Sequence, residues 1–245
     1  MNEILYGRHA IEEALIAGRR KVYGIYVAER AKLPANSPLQ SAVSDGRIPL
    51  RFVPRAQLDR MVGQVNHQGI LADVSEYRYY ELDELLKAEA APLKPPILLL
   101  LDCLQDPQNL GSLIRTAEAI GVAGLILPRN RSASVTPAVV NATSGAVEHL
   151  KVAQVTNLVR TMDQLKEVGF WIVGLEGEAG VQRYDQADLK VPLGLVVGSE
   201  GQGLGRLVKQ TCDFLVGLPM LGRISSLNAS IAGSVVLYEA WRQRQ

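Results

Sequence analysis

Cysteine is scarce in this sequence, with Cys103 and Cys212 alone among 245 residues. Two thiols cannot staple a small secreted scaffold, and without a CxxC pair or a Cys/His cluster they give no zinc-binding pattern. Both are read as buried apolar side chains. The histidines His9, His67 and His149 are scattered and have no neighbours that suggest a triad or a metal site. Charge of one sign is lacking too, since 26 basic residues are balanced by 25 acidic ones. Any nucleic-acid surface must then come from local placement of arginine. Long hydrophobic runs are missing as well. The most apolar stretch, Ile97 to Leu101, is far too short to cross a bilayer. Met1 to Gly7 lacks the basic start and apolar core of a secretion signal. These absences lead to the expectation of a cytoplasmic protein with no metal and no membrane partner.

What is present is the material of an ordinary folded core, an apolar share of 47%. Residues 1–77 read as a compact α/β unit. Ile11, Leu15 and Ile16 recur at helical spacing, with Gly18 placed to end that helix. Val22 to Ala28 and Gly69 to Val74 alternate like strands, Arg51 to Pro54 reads as a short strand, and a helix is expected near Gln57 to Val62. Residues 78–96 change character: a short helical stretch, Leu82 to Ala90, runs into Ala91-Pro92-Leu93-Lys94-Pro95-Pro96, a proline density that suits a stiff linker. Residues 97–245 then alternate apolar strands with helices. The strands are Ile97–Leu101, Gly124–Leu127, Phe170–Gly174, Leu193–Val197 and Phe214–Leu218. The helices fall near residues 109–120, 137–144, 157–167, 205–212 and 228–242. Short apolar runs without polar alternation predict a parallel sheet covered on both faces, with ligands at the carboxyl ends of its strands.

Three polar segments punctuate this second part. In the first, Asp106 is placed to cap a helix with Pro107 at its first position, and Leu110, Leu113, Ile114, Ala117 and Ile120 form the apolar face. Asn109, Ser112 and Arg115 fall off that face. A capped surface helix with an Arg115–Glu118 pair would explain as much. The second, Gly198-Ser199-Glu200-Gly201-Gln202-Gly203, is a glycine-rich turn after a buried strand, where a ligand can approach backbone closely. It resembles a dinucleotide fingerprint only superficially, because its spacing differs and Glu200 would repel a pyrophosphate. A nucleoside-like ligand without phosphates fits better, although a plain tight turn is the simpler alternative. The third, Leu218 to Ser230, gathers small polar residues where the last helix begins, which is equally a capping pattern for Ser225 or Ser226.

Taken in order, the segments resemble the D-P-x-N-x-G-x-x-x-R, G-x-E-x-x-G and S-L-N-x-S motifs of the SpoU (TrmH) class of SPOUT RNA 2′-O-ribose methyltransferases. The stretch Val155 to Met162 and the ending Glu239 to Arg244 look like the RlmB branch, which modifies a P-loop guanosine of 23S rRNA. Tyr6-Gly7-Arg8-His9-Ala10-Ile11 resembles the start of its L30e/L7Ae-like substrate-binding domain. One departure is Cys103-Leu104-Gln105, where relatives often carry a small residue and a hydroxyl one.

The resemblance implies an α/β protein: an L30e/L7Ae-like RNA-binding domain over 1–77, a linker over 78–96, and a SPOUT domain over 97–245 with a C-terminal trefoil knot. It implies S-adenosyl-L-methionine as cofactor, RNA as partner (23S rRNA, or tRNA within the same class), and a homodimer formed through the knotted domain. The cofactor would meet Gly174, Glu176, Gly177, Gly198, Ser199, Gly201, Leu218, Met220, Ser226 and Leu227. The polar catalytic set would be Asn109, Arg115, Glu200, Ser226 and Asn228. Arg115 is often proposed as the base, yet a guanidinium with a pKa above ~12 suits phosphate binding and polarisation of the 2′-hydroxyl better. RNA contacts are expected from Arg8, His9, Arg19, Arg20, Arg115, Arg129, Arg131 and Arg223; Lys21 and His67 are further candidates and His149 is read as structural. Two other classes stay open: a non-catalytic RNA-binding or ribosome-assembly factor, and, on the glycine-rich turn alone, a nucleotide-dependent dehydrogenase.

Overall fold

A computed structural model describes the chain except for residues 1, 32, 34–35, 87–92, 131, 179 and 224–225. Two compact units emerge, Met1–Arg78 with Val135–His149, and Tyr79–Ser134 with Leu150–Gln245.

The first unit runs β1 (Asn2–Tyr6), α1 (Arg8–Ala17), β2 (Val22–Ala28), α2 (Pro38–Ser44), β3 (Leu50–Val53), α3 (Arg55–Val62) and β4 (Ile70–Ser75). Its sheet has the order β1-β4-β2-β3, antiparallel except for the β2–β3 pair. β4 lies inside the sheet and buries Leu71, Ala72 and Val74, which is why its alternation is blurred on the inner side. Gly18 ends α1 in the left-handed conformation, as its position suggests. α2 went unforeseen; Ser37 caps it, accepting from the Gln40 backbone N–H at 3.2 Å.

In the second unit α4 (Leu82–Leu86) precedes β5 (Ile97–Leu101), α5 (Pro107–Ala119) and β6 (Gly124–Pro128). Next comes α6 (Pro137–Ala142) with a 3-10 turn at Ala146–Glu148, and these pack within the first unit. The Asn141 amide donates to the Tyr6 carbonyl at 3.1 Å, and the Tyr77 hydroxyl to the Val147 carbonyl at 3.3 Å. The remaining elements are β7 (Val152–Val155), α7 (Leu158–Glu167), β8 (Trp171–Leu175), β9 (Gln182–Arg183), β10 (Leu193–Val197), α8 (Arg206–Thr211), β11 (Phe214–Gly217) and α9 (Ala229–Arg242).

Their seven-stranded sheet has the order β7-β6-β5-β10-β8-β11-β9, and every pairing is parallel, as the uninterrupted apolar runs predict. β7 is a strand that the sequence reading passes over, because its four residues merge into the cap of α7. On one face, Met162 and Leu165 of α7 pack with Leu98, Leu100, Ile126 and Val196. On the other, α9 approaches so closely that a Cβ on Gly233 would stand 2.8 Å from Leu113 of α5 and 3.1 Å from Val197. The whole of β5 and β10 is buried between these layers. Asp106 caps α5 as foreseen, accepting from the Gln108 and Asn109 N–H groups at 3.3 and 3.1 Å. Both cysteines are only half-buried, not interior as expected: Cys103 sits in the loop after β5 and Cys212 at the end of α8.

Candidate active site

The carboxyl ends of β5, β8, β10 and β11 are neighbours in the sheet, so the loops that follow them converge. This brings the three polar segments together. At the centre is Glu200, in the loop after β10. Its Oε1 accepts from the Asn109 amide and, at 2.6 Å, from the Asn228 amide. The Asn228 amide also donates to Asn109 Oδ1 at 2.8 Å. The Ser230 hydroxyl lies 3.1 Å from Asn109 Oδ1 and 2.6 Å from Asn228 Oδ1, so its single proton is shared between two acceptors. Asn228 Oδ1 in turn caps α9, accepting from the N–H groups of Ser230 at 2.9 Å and Ile231 at 3.2 Å. Asn109 and Ser230 are buried, at 8% and 3% exposure, so these bonds fix the Asn109 carboxamide in one orientation. The cap is thus Asn228 rather than Ser226, with Ser225 outside the described residues, and capping and site-building are the same interactions in the third segment.

Beside this network lies a cavity of about 490 Å³. Of the residues expected to meet a cofactor, Glu176, Gly177, Gly198, Ser199, Gly201, Leu218, Met220, Ser226 and Leu227 line it; so do Glu200, Asn228, Leu175 and Gly203. Gly174 does not. It is packed inside the sheet, where a Cβ would meet Leu204, Leu215 and Cys212 at 2.7–2.8 Å, so its glycine serves close packing. Gly198 has a related role. A Cβ there would lie 2.3 Å from the Gly203 carbonyl, so glycine lets the loop fold against itself, with Ser199 and Gly203 exchanging backbone hydrogen bonds of 3.0 and 3.1 Å. No lysine or arginine is among the described residues lining the cavity, while Glu176 and Glu200 both are.

Asp102 was not singled out from sequence. It is buried and accepts from the Gly205 N–H at 2.7 Å, tying the loop after β5 to the end of the glycine-rich loop. The only available signal was an acid directly after a wholly apolar strand. Ser230 was visible solely as the last letter of its motif.

Arg115 is not joined to the network. It stands exposed on α5 and makes no hydrogen bond or ion pair with the described residues, so the pair with Glu118 does not form. Arg129 and Arg223 are likewise exposed, and Arg131 lies outside the described residues. Within the first unit, Arg8 pairs with Glu12 at 3.3 Å, His9 is exposed, and Arg19 donates to the His149 carbonyl at 2.9 Å. Arg20 corrects the expectation. Its side chain is buried between Glu3 (2.5 Å) and Glu148 (2.9 Å), with the Tyr77 ring 5.0 Å away, so it cannot reach an RNA phosphate. Burial raises the Glu148 carboxyl, and the Arg20 charge opposes that shift. His67 is fully buried between Asp59 and the Gly69 N–H, whereas His149 bonds Glu13 at 2.7 Å and is structural, as read. No cluster of metal-ligating residues occurs among the described residues.

Comparison with known proteins bears on the same segments. A family model described as the SpoU rRNA methylase family matches residues 96–238, and one described as RNA 2′-O ribose methyltransferase substrate binding matches residues 4–80. A Bacillus subtilis protein assigned to the TrmH family of tRNA/rRNA methyltransferases is 45% identical over 245 residues, 99% of this chain and 96% of its own. One from Staphylococcus saprophyticus with the same assignment is 40% identical over 241 residues, 98% of this chain and 96% of its own. Among solved structures, the SpoU methyltransferase AviRb from Streptomyces viridochromogenes in complex with AdoMet superposes with a TM-score of 0.81 at 27% identity, covering 99% of this chain and 90% of that one. An AdoMet-bound rRNA methyltransferase from Sinorhizobium meliloti gives 0.79 at 26% identity, over 98% and 87% of the two chains.

Proposed function

The chain belongs to the SpoU rRNA methylase family, and we propose that it transfers a methyl group from S-adenosylmethionine to a ribose 2′-hydroxyl of RNA, the P-loop guanosine of 23S rRNA being the target. The observation that carries this is the Glu200–Asn109–Asn228 network on the wall of a cavity that holds two carboxylates and no basic side chain among its described lining residues. That lining suits a cationic nucleoside, and it disfavours the pyrophosphate of a dinucleotide, which speaks against a dehydrogenase. Glycine backbone around Gly198 and Gly201, with Leu218, Met220 and Leu227, would hold the adenosine, and Glu176 and Glu200 would face its positive groups.

S-adenosylmethionine supplies a methyl group already activated as a sulfonium, so the protein's task is alignment of the acceptor oxygen and removal of one proton. Glu200 holds both carboxamides in place through Oε1. Its Oε2 makes no hydrogen bond to the described residues, which leaves it open toward a hydroxyl. Arg115, exposed and unpaired among those residues, is suited to grip the RNA phosphate and polarise the 2′-hydroxyl. Arg8, His9, Arg19, Arg129 and Arg223 are the further RNA contacts in this reading.

The strand order supports the knotted C-terminus of the family, since β10 lies between β5 and β8 while β11 lies beyond β8. The exposed apolar face of α9, with Ile231 at 54% and Tyr238 at 49% exposure, supports a homodimer through this unit. No helix of the described residues is long and apolar enough to cross a membrane.

The relatives are described as acting on tRNA or rRNA, so tRNA is the second reading. Purified protein with isotopically labelled S-adenosylmethionine should label unmodified 23S rRNA transcripts at one ribose. Label on tRNA alone moves the target to the second reading. RNA binding with no transfer to either RNA leaves a non-catalytic assembly factor.

A further inference from the structure

A second cavity, of about 470 Å³, adjoins the first and shares Ser199 and Glu200 with it. Its remaining walls are Cys103, Leu104, Gln105 and Asp106 from the loop after β5, and Gln202 from the glycine-rich loop. These include Cys103-Leu104-Gln105, the stretch at which the chain departs from the pattern it otherwise resembles. Gln105 and Gln202 are exposed, and neither carboxamide is hydrogen-bonded to another described residue. Asp106 caps α5 with both oxygens and keeps further lone pairs unused.

We propose that this cavity receives the base of the nucleotide being methylated, the guanine of the target proposed above, and that Gln105 and Gln202 read it. The inference rests on the methyl-transfer reading above. In-line transfer places the acceptor oxygen and the sulfonium on opposite sides of the methyl carbon, so the acceptor ribose must lie directly beside the donor's cavity. Glu200 is common to both cavities, so with the methyl donor in the first, the acceptor ribose stands at the Glu200 wall and its base reaches into the second. The size lies within the roughly 300–1,000 Å³ of ligand sites. Leu104, buried, gives the cavity an apolar floor. The carboxylates of Asp106 and Glu200 disfavour a phosphate there and accept hydrogen bonds only. Guanine presents two adjacent donors, N1–H and N2–H, to a carboxylate, and its O6 and N7 to carboxamide donors. Adenine, cytosine and uracil lack that donor pair.

The test begins by mapping the methylated nucleotide with the wild-type protein on unmodified transcripts. An RNA fragment with guanine, inosine or adenine at that position is then methylated by the wild type, Gln105→Ala, Gln202→Ala, the double variant, and the size-matched Gln105→Glu and Gln202→Glu. S-adenosylmethionine affinity is measured for each. The wild type should prefer guanine, and inosine, which lacks the N2 donor, should be the poorer substrate. Each alanine variant should lower kcat/KM on guanine by about tenfold, the size of a lost base contact, with cofactor affinity unchanged. The double variant should lose much of the guanine-to-adenine preference, which the carboxamides set through O6. It should keep the guanine-to-inosine difference, which the carboxylates set; a merely structural role would not separate the two. A double variant with wild-type kcat/KM, or with its guanine-to-adenine preference intact, overturns the assignment, as does a mapped target that is not guanosine. Loss of cofactor affinity in the alanine variants together with the glutamate variants assigns the residues to folding and overturns it too. A wild-type protein that binds cofactor and methylates no RNA overturns the methyl-transfer reading, which is a separate outcome.

Discussion

Asn228 performs two tasks at once, and two substitutions separate them. Its Oδ1 caps α9, while its amide donates to Glu200 and Asn109. Asn228→Ala removes both. A lost N-cap costs about 1 kcal/mol. The lost amide adds little, because Glu200 is exposed to water and Asn109 Oδ1 keeps the Ser230 hydroxyl. A total of about 1–2 kcal/mol lowers the melting temperature by about 2–8 °C for a chain of this size. Asn228→Asp keeps the cap, and a negative charge is favourable at a helix N-terminus. It replaces the donor by a carboxylate, however, 2.6 Å from the position of Glu200 Oε1. Two carboxylates so close retain a proton between them, so the folded state titrates higher than the unfolded one. The sign follows directly. Below the unfolded carboxylate value of about 4 the variant is as stable as the wild type, and above it stability declines as pH rises through the raised value. Both variants should lose about 100-fold in methyl transfer at neutral pH, the usual cost of removing one preorganised donor. Thermal melts from pH 4 to 8 and single-turnover transfer rates measure the two effects. If Asn228→Asp transfers methyl groups at the wild-type rate, the network is only a cap and the reasoning fails.

Gly198→Ala should lose about 1–3 kcal/mol, because its Cβ would collide with backbone rather than a flexible side chain, and calorimetry should show cofactor affinity falling with it. Arg115→Ala should change stability by less than about 0.5 kcal/mol, since the side chain is exposed and unpaired among the described residues, and yet abolish transfer to RNA. Because burial raises the Glu148 carboxyl, its contribution to stability falls as pH rises above the unfolded carboxylate range; denaturant titrations should show the wild type losing stability relative to Glu148→Gln in that direction. Burial pushes the Cys212 thiol up to about 12, so at pH 8 it should resist alkylation in the folded protein, as read by peptide mass mapping.

Much of this was legible because local chemistry and global role coincide. Asp106 followed by Pro107 marks a helix start in any context, and uninterrupted apolar runs mark buried parallel strands. What stayed hidden depends on partners far away in sequence. Arg20 looks like any basic surface residue until Glu3 and Glu148 close around it. Gly174 falls in a glycine-bearing strand end that resembles a ligand contact, and its role becomes clear only beside Leu204 and Leu215. Asp102 and Ser230 are short polar residues in positions that capping or a turn would explain equally well. The packing of Val135–His149 in the first unit had no local signal, because α6 and its turn alternate no differently from a helix of the parallel sheet.

The order of strands in the second unit also constrains how the protein is made. β10 hydrogen-bonds to β5 on one side and β8 on the other, although both are synthesised before it. Those earlier strands therefore cannot settle as final neighbours in the order in which they leave the ribosome. The sheet must hold a place open or come apart to admit β10, and such non-local pairing is slow. Asn109 then waits for Glu200, 91 residues later, and for Asn228, 119 residues later. The network of Asn109, Glu200 and Asn228 is thus among the last parts to assemble, and a nascent chain carries exposed strand edges until it does, the state in which chaperone protection matters most.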